Sequence, residues 1–453
     1  MKYAAAVFAA LLAFAASGAG QTAAVTPTTA EVDAIYPDIE TFYIDLHRNP
    51  ELAFQEVRTS GKLAAFAKAL GYEVTTGVGK TGIVAVMKNG PGPTVMLRTE
   101  LDALPVEEKT GLPFASTVIG KTASGQSTPV MHACGHDIHM SAWAGTARWM
   151  MEHKDRWHGT LMLIGQPAEE SGSGGATAML KDGLFTRFPR PDFALSLHDD
   201  DTMPAGTIGY HPGPFRSMAD AVTLVVHGRG GHAAMPMNTV DPIVLASRIV
   251  LALQTIVSRE NNPTDPVVIT VGSIHGGTSG NVIPDEVRLQ LSVRTYTPEV
   301  RRKTLAAIRR IAKGEAMAAG APREPEIITR GDEPGEPVVY NDPALVARLA
   351  TALKAGLGDK TVVPMPVKMT SEDFGQYWIT GKVPSALLHI GAVNAEKFAE
   401  IQKTGIPGPA PHSPEWAPDR EPTLKGAIRA EVTELTELFN GKQRITVTVV
   451  SPE

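Results

Sequence analysis

Four short apolar runs limit the fold of this chain more than any other feature: TVMLRT (94–99), TLMLIGQ (160–166), FALSLH (193–198) and SALLHIGA (385–392). Their length and nearly unbroken apolar character read as buried strands of one sheet. Helical patterns fall between or before them, at SGKLAAFAKAL (60–70) and SAWAGTARWMME (141–152). Such alternation predicts an α/β fold. The stretch from about 215 to 330 differs from its surroundings. It reads as strand, helix, strand, strand, helix and a short final strand near EPEIIT. This β-α-β-β-α-β order is the ferredoxin-like arrangement. Strands of the main sheet precede and follow it, so it is expected to be inserted into the domain formed by 34–214 and 331–442. A length of 453 residues accommodates two domains of roughly 150 residues or somewhat more each.

The N-terminus is of another kind. Lys2 is followed by an apolar run from 4 to 16 and by the small residues Ser17, Gly18, Ala19 and Gly20. This layout predicts a secretory signal peptide over 1–20, hence a periplasmic or extracellular protein. The run is short for a membrane span, and no cysteine stands near the cleavage region to carry a lipid, so no stable membrane anchor is expected. Residues 21–33, QTAAVTPTTAEVD, read as a polar linker. A net charge of −6 without any Lys/Arg run gives no footprint for nucleic acid.

In an exported protein, structural cysteines normally come in pairs, and Cys134 is alone. It is either a buried inert thiol or a thiolate held by something else. Its surroundings are MHACGHDIHM (131–140), with His136 two residues on and a glycine between that permits a tight turn. Further along, QPAEES (166–171) places two adjacent carboxylates just after a buried strand. One reading is a surface loop. The other is a division of labour, with one carboxylate on a metal and its neighbour taking the proton of a water that the metal acidifies. His198 ends another apolar run, and His412 lies in the Pro-bounded PHSPEW. Cysteine, glutamate and three histidines form a donor set suited to a borderline ion such as zinc or manganese.

LHRNPELAFQE (46–56), LRTELDALPVEE (97–108), MHACGHDIH (131–139), QPAEE (166–170), GGHAAMP (230–236), GNVIPDEV (280–287), SEDF (371–374) and PHSPE (411–415) occur in this order. Together they make residues 35 to about 440 resemble the M20 metallopeptidase family, in its amidohydrolase branch of aminoacylases, hippurate hydrolases and auxin-conjugate hydrolases. The resemblance implies a catalytic domain of the metal-dependent exopeptidase type, with 215–330 as a lid and dimerisation domain in a homodimer. It implies one or two divalent ions on Cys134, His136, Glu170, His198 and His412, and Glu169 as general base. Asp102 matches a carboxylate behind the metal site, and His232 a residue that steadies the oxyanion, often in the partner's site. Asn281 and Arg294 match positions that bind the polar end of a substrate. The implied reaction is hydrolysis of the amide bond of N-acyl amino acids or related small conjugates.

Two positions depart from the family pattern. Thr99-Glu100 replaces the usual Ala-Asp, and Met237 stands where a histidine is common. His132 and His139 read as packing or supporting groups, SEDF as a helix cap, and 199–201 as a solvated acidic loop. The rival readings are a periplasmic dipeptidase or carboxypeptidase using the same site, and an inactive metal- or solute-binding protein.

Overall fold

The fold was obtained as a computed structural model that describes residues 24–441, apart from 173, 330 and 332–334. The expected signal peptide lies outside the described residues. Helix α1 (Thr29–Arg48) begins inside the expected linker, because Thr28 and Glu31 form a reciprocal capping box. Thr28 Oγ1 accepts from the Glu31 N–H at 3.2 Å, and the Glu31 carboxylate accepts from the Thr28 N–H at 2.7 Å. Two of the N–H groups that every helix start leaves unpaired are thereby satisfied. The linker reading therefore fails from residue 29 onward.

Helix α2 (Val57–Ala69) leads to the hairpin of β1 (Glu73–Val78) and β2 (Gly82–Asn89), then to β3 (Thr94–Glu100) and α3 (His136–Glu152). Next come β4 (Gly159–Gln166), β5 (Phe193–Pro204) and the short β6 (Ile208–Tyr210). The chain then builds a second sheet from β7 (Met218–His227), β8 (Val268–His275), β9 (Glu286–Thr295) and β10 (Glu326–Ile328), with α4 (Pro242–Thr255) and α5 (Pro298–Ala318) between its strands. It returns through α6 (Pro343–Leu357), β11 (Val362–Pro364), β12 (Ser385–Val393) and α7 (Arg420–Asn440).

The first sheet has eight strands in the order β1-β2-β4-β3-β5-β12-β6-β11. Its centre, β4-β3-β5-β12, is parallel, and the flanks include antiparallel pairs. Almost every residue of these four central strands is buried or half-buried, as expected for strands covered by helices on both faces. Ile39, Trp143, Leu349 and Leu435 pack one face from α1, α3, α6 and α7. Met179, Leu184, Phe374 and Tyr377 pack the other. The second sheet runs β8-β9-β7-β10, all antiparallel, and has its own core of residues such as Leu224, Leu245, Ile249, Leu289 and Ile308. That is the strand order of a ferredoxin-like sheet, in which the first and third strands of the unit are central.

A buried charge triad ties α1 to α3. His47 Nδ1 lies 2.6 Å from Asp137 Oδ2, and its Nε2 lies 2.9 Å from Glu108 Oε1. With a carboxylate at each nitrogen, both nitrogens donate and the ring is an imidazolium. Burial disfavours that charge, yet the two carboxylates prevail and raise the group from 6.5 to about 9. A raised histidine contributes stability in full below its unfolded value of 6.5 and loses it as pH climbs through about 9. The interval corresponds to something on the order of 3 kcal/mol. Urea midpoints are therefore expected to fall as pH rises through this window, and a His47→Gln chain should start lower and show a flatter profile. Equal slopes in the two chains would remove His47 as the cause.

Candidate metal centre

Because the central strands are parallel, their carboxyl ends share one edge of the sheet, where an α/β crevice forms. Asp102 follows β3 there, and Glu169 and Glu170 follow β4. His198 departs from expectation: β5 does not end at it but continues to Pro204, with Asp199 and Asp200 buried inside the strand. The acidic run is not a solvated loop, because side chains far away in sequence hydrogen-bond or ion-pair with it. Asp199 meets His139 at 3.2 Å and accepts from the Trp416 indole at 3.0 Å. Asp200 meets His389 at 2.6 Å and Lys368 at 2.5 Å.

Five donors named in the sequence converge. Cys134, His136 and His198 bring one donor atom each to within 4.8 Å of one another, and so do Cys134, Glu170 and His412. The thiol sulfur stands 3.6 Å from His198 Nε2, and Glu170 Oε1 stands 3.2 Å from His412 Nε2. The two buried histidines are held in one tautomer. His136 Nδ1 donates to the Asp102 carbonyl at 2.8 Å, and His198 Nδ1 donates to the Asp199 carbonyl at 2.8 Å. A carbonyl can only accept, so each ring keeps its proton on Nδ1 and leaves the Nε2 lone pair free. His136 Nε2 is buried without a hydrogen-bond partner among the described residues. Carbonyl-anchored rings whose Nε2 atoms face a shared set of donors fit a divalent ion.

The electrostatics point the same way. Burial pushes the Cys134 thiol well up, and the nearby Glu170 and Asp199 charges add to it. Glu169 is likewise raised, by burial and then by Glu372 and Glu170. His136, despite its burial, is raised to about 10 by the Asp102 hydrogen bond and the Glu100 charge. Positive charge is what the cluster lacks, and a divalent cation reverses the thiol and imidazole shifts.

Asp102 sets the spacing of the two glutamates. Its Oδ1 accepts from the Glu169 N–H at 3.0 Å and its Oδ2 from the Glu170 N–H at 2.9 Å. Ala168, just before them, takes the left-handed conformation (φ 50°, ψ 44°), which costs an alanine of the order of 1 kcal/mol. Its N–H is held at 2.8 Å by the buried Glu56, which also accepts from the Phe54 N–H at 2.9 Å. The turn sends the two side chains different ways. Glu170 reaches His412, while Glu169 Oε2 stops 3.9 Å from His136 Nε2.

Several supporting groups were not read from the sequence. Arg98 is fully buried and donates to Glu100, to Glu372 at 2.7 Å, to Asp373 at 2.9 Å and to Gln166 at 3.0 Å. SEDF is therefore not a helix cap: Glu372 and Asp373 are counterions of Arg98, and Ser371 accepts from Arg294 at 2.6 Å. An arginine inside the apolar run 94–99 was the available signal, since it demands buried anions. His139 Nδ1 lies 3.0 Å from Glu100, and its Nε2 accepts from the Asp199 N–H at 2.8 Å and lies 3.2 Å from that carboxylate, so both nitrogens are engaged by supporting groups. The glutamate at position 100 is accommodated in this way. His132 is buried with neither nitrogen hydrogen-bonded among the described residues.

The residues expected from the second sheet are elsewhere. His232 and Asn281 sit together on a two-residue ribbon, where Gly231–His232 pairs with Val282–Ile283. Both are exposed, as is Met237. His232 Nδ1 accepts from the Ala234 N–H, and no contact joins it to the five donors among the described residues. Arg294 is placed at the junction of the two sheets by its bond to Ser371.

Comparison with known proteins gives the following. The sequence profile of peptidase family M20/M25/M40 matches residues 96–402. Thermostable carboxypeptidase 2 of Saccharolobus solfataricus is 36% identical over 355 residues, 78% of this chain and 85% of that protein. N-acetyl-L-cysteine deacetylase of Bacillus subtilis is 37% identical over 334 residues, 73% of this chain and 75% of that protein. The solved structure of the Bacillus subtilis YXEP protein, a dinuclear metal-binding peptidase from the M20 family, superposes with a TM-score of 0.72 at 29% identity. That superposition covers 90% of this chain and 99% of the other.

Proposed function

Since the chain belongs to peptidase family M20/M25/M40, we propose that it hydrolyses the amide bond of N-acyl amino acids or related small conjugates, with Glu169 as general base. Cys134, His136, Glu170, His198 and His412 would hold one or two divalent ions, zinc or manganese by the chemistry of the donors. The observation that carries this reading is the split of the Glu169-Glu170 pair, both anchored through their N–H groups by Asp102, with Glu170 Oε1 3.2 Å from His412 Nε2 while Glu169 Oε2 comes no closer than 3.9 Å to His136 Nε2. A bound divalent ion supplies Lewis acidity toward the scissile carbonyl and acidifies water. Glu169, nearly buried but unattached to a ligand, takes the proton of the attacking water and delivers it to the departing amine. Asp102 keeps base and ligand at fixed spacing, and Asp199 and Asp102 hold the histidines through their carbonyls.

His232 would donate to the oxyanion, and Asn281 and Arg294 would hold the substrate's polar end. An exposed His232 requires either movement of the second sheet or a partner subunit to reach a site. Exposed Ile243, Val244 and Leu251 on α4, together with Ile274 at the end of the edge strand β8, give that unit an apolar surface for a second copy. The lone cysteine, occupied as a ligand, is compatible with export to the periplasm or beyond. The second reading, a carboxypeptidase or dipeptidase, is favoured by similarity to the S. solfataricus carboxypeptidase.

The test is a panel of N-acetyl amino acids against dipeptides, with the protein as purified, after chelation, and after readdition of zinc or manganese. Hydrolysis of the acetyl series should disappear on chelation and return with metal. Turnover unaffected by complete metal removal would refute the reading, and exclusive cleavage of dipeptides would replace it with the second.

A further inference from the structure

A cavity of about 160 Å³ lies beside Gly172, just past the Glu169-Glu170 pair, and of its lining residues only Arg294 has been given a role above. Gly172 forms one wall, Ala219 of β7 and Leu291 of β9 another, and Arg294 and Glu336 bring charge to it. Asp220 also lines the cavity, but both its oxygens are engaged by the Arg301 guanidinium at 2.8 Å. The other two charges are not neutralised in this way. Arg294 makes its hydrogen bonds to two hydroxyls, Ser371 Oγ at 2.6 Å and Ser292 Oγ at 3.2 Å, and has no ion-pair partner within 4.0 Å among the described residues. Glu336 Oε2 is buried with no hydrogen-bond partner among them.

The carboxylate cannot easily turn away. The Glu336 backbone is clamped to Ala219 by two hydrogen bonds, 3.0 Å and 3.1 Å, which fixes where its side chain starts. An unsatisfied buried carboxylate oxygen carries a desolvation cost that a ligand donor would remove, and a charged donor would remove most. The cavity thus offers one cation and one anion that form no direct ion pair among the described residues, with Ser371, the acceptor of the Arg294 bond, beside both. Such a pair matches a zwitterion.

We infer that Glu336 receives an ammonium group on the amino-acid half of the substrate, so that the preferred substrates are N-acyl diamino acids. This rests on the amide-hydrolase reading, because it places the substrate carboxylate at Arg294 and the side-chain ammonium at Glu336. A cation on the acyl half, such as a peptide's own N-terminus, would lie away from Arg294.

The experiment compares Nα-acetyl-L-lysine with N-acetyl-L-norleucine, which has the same carbon chain without the amine, on the metal-loaded protein and its Glu336→Gln variant. Calorimetry with L-lysine and L-norleucine gives a second readout that needs no turnover. The native protein should favour the lysine compound by about 10–100-fold in kcat/KM and in affinity, because a polar site rejects an analogue that leaves its group unpaired. In Glu336→Gln both ratios should collapse toward one, with the folded state checked by thermal melting, and Glu336→Asp should restore part of them. Ratios unchanged by Glu336→Gln, or a native protein that binds lysine no better than norleucine, would overturn the assignment. Glu336-dependent lysine binding without any hydrolysis would uphold the ammonium site at Glu336 and defeat the hydrolase reading instead.

Discussion

Glu169→Gln is expected to lower kcat by about 10²- to 10⁴-fold, the range that a positioned acid-base group supplies, while metal content stays at the native level. The two halves of this result test different things. Gln keeps the volume and the backbone N–H that Asp102 holds at 3.0 Å, so the turn through Ala168 and the spacing to Glu170 should survive. What is lost is the ability to accept a proton and return it. Since Glu170 reaches His412 and Glu169 does not, the ion should bind as before. A variant with native metal content and near-native turnover would show that Glu169 is not the base. A variant that loses its metal would instead make Glu169 a ligand and reverse the division of labour.

The second large effect falls on stability. Arg98→Met should destabilise the fold by about 3–5 kcal/mol, the usual result of removing one partner from a buried ion cluster. Three carboxylates, Glu100, Glu372 and Asp373, crowd this one guanidinium, and all four groups are inaccessible to water. Methionine fills much of the space but leaves the anions facing one another. Their repulsion is relieved by protonation, so the deficit measured by urea unfolding should be largest above neutral pH and should shrink as pH is lowered. A deficit below about 1 kcal/mol, or one that does not vary with pH, would mean that the carboxylates find other partners or are already neutral. Asp373 also accepts from Gln166 at 2.7 Å and from the Ala176 N–H at 2.9 Å. Failure here would therefore loosen the floor beneath the QPAEE turn and reduce activity as well.

The fold and donors were legible where the information is local. Capping residues, apolar runs and the motif around Cys134 each carry their meaning within ten or so positions, and the strand-helix order of 215–330 follows from its own periodicity. The misreadings share one physical cause. Asp199 and Asp200 read as solvated because the groups that hydrogen-bond or ion-pair with them, Trp416, Lys368 and His389, lie far along the chain. SEDF read as a cap because its true partner is Arg98, 274 positions away from Glu372. A charge next to an apolar run is ambiguous until its counterion is known, and sequence order does not say where a counterion folds. Glu336 was passed over for the same reason, since only the packing of one sheet on the other makes its carboxylate remarkable for what it lacks.

The proposed donors are spread along the chain, from Cys134 to His412, and the last of them is docked beside the first through the His412 N–H and the Ala133 carbonyl at 2.7 Å. A ribosome must therefore have made more than four hundred residues before the set can close. No nascent fragment ending before that loop contains a complete site, however well its strands pair. Loading is in this sense a late inspection of the finished chain, and the ion it acquires is chosen by whichever compartment hosts the final docking of that loop.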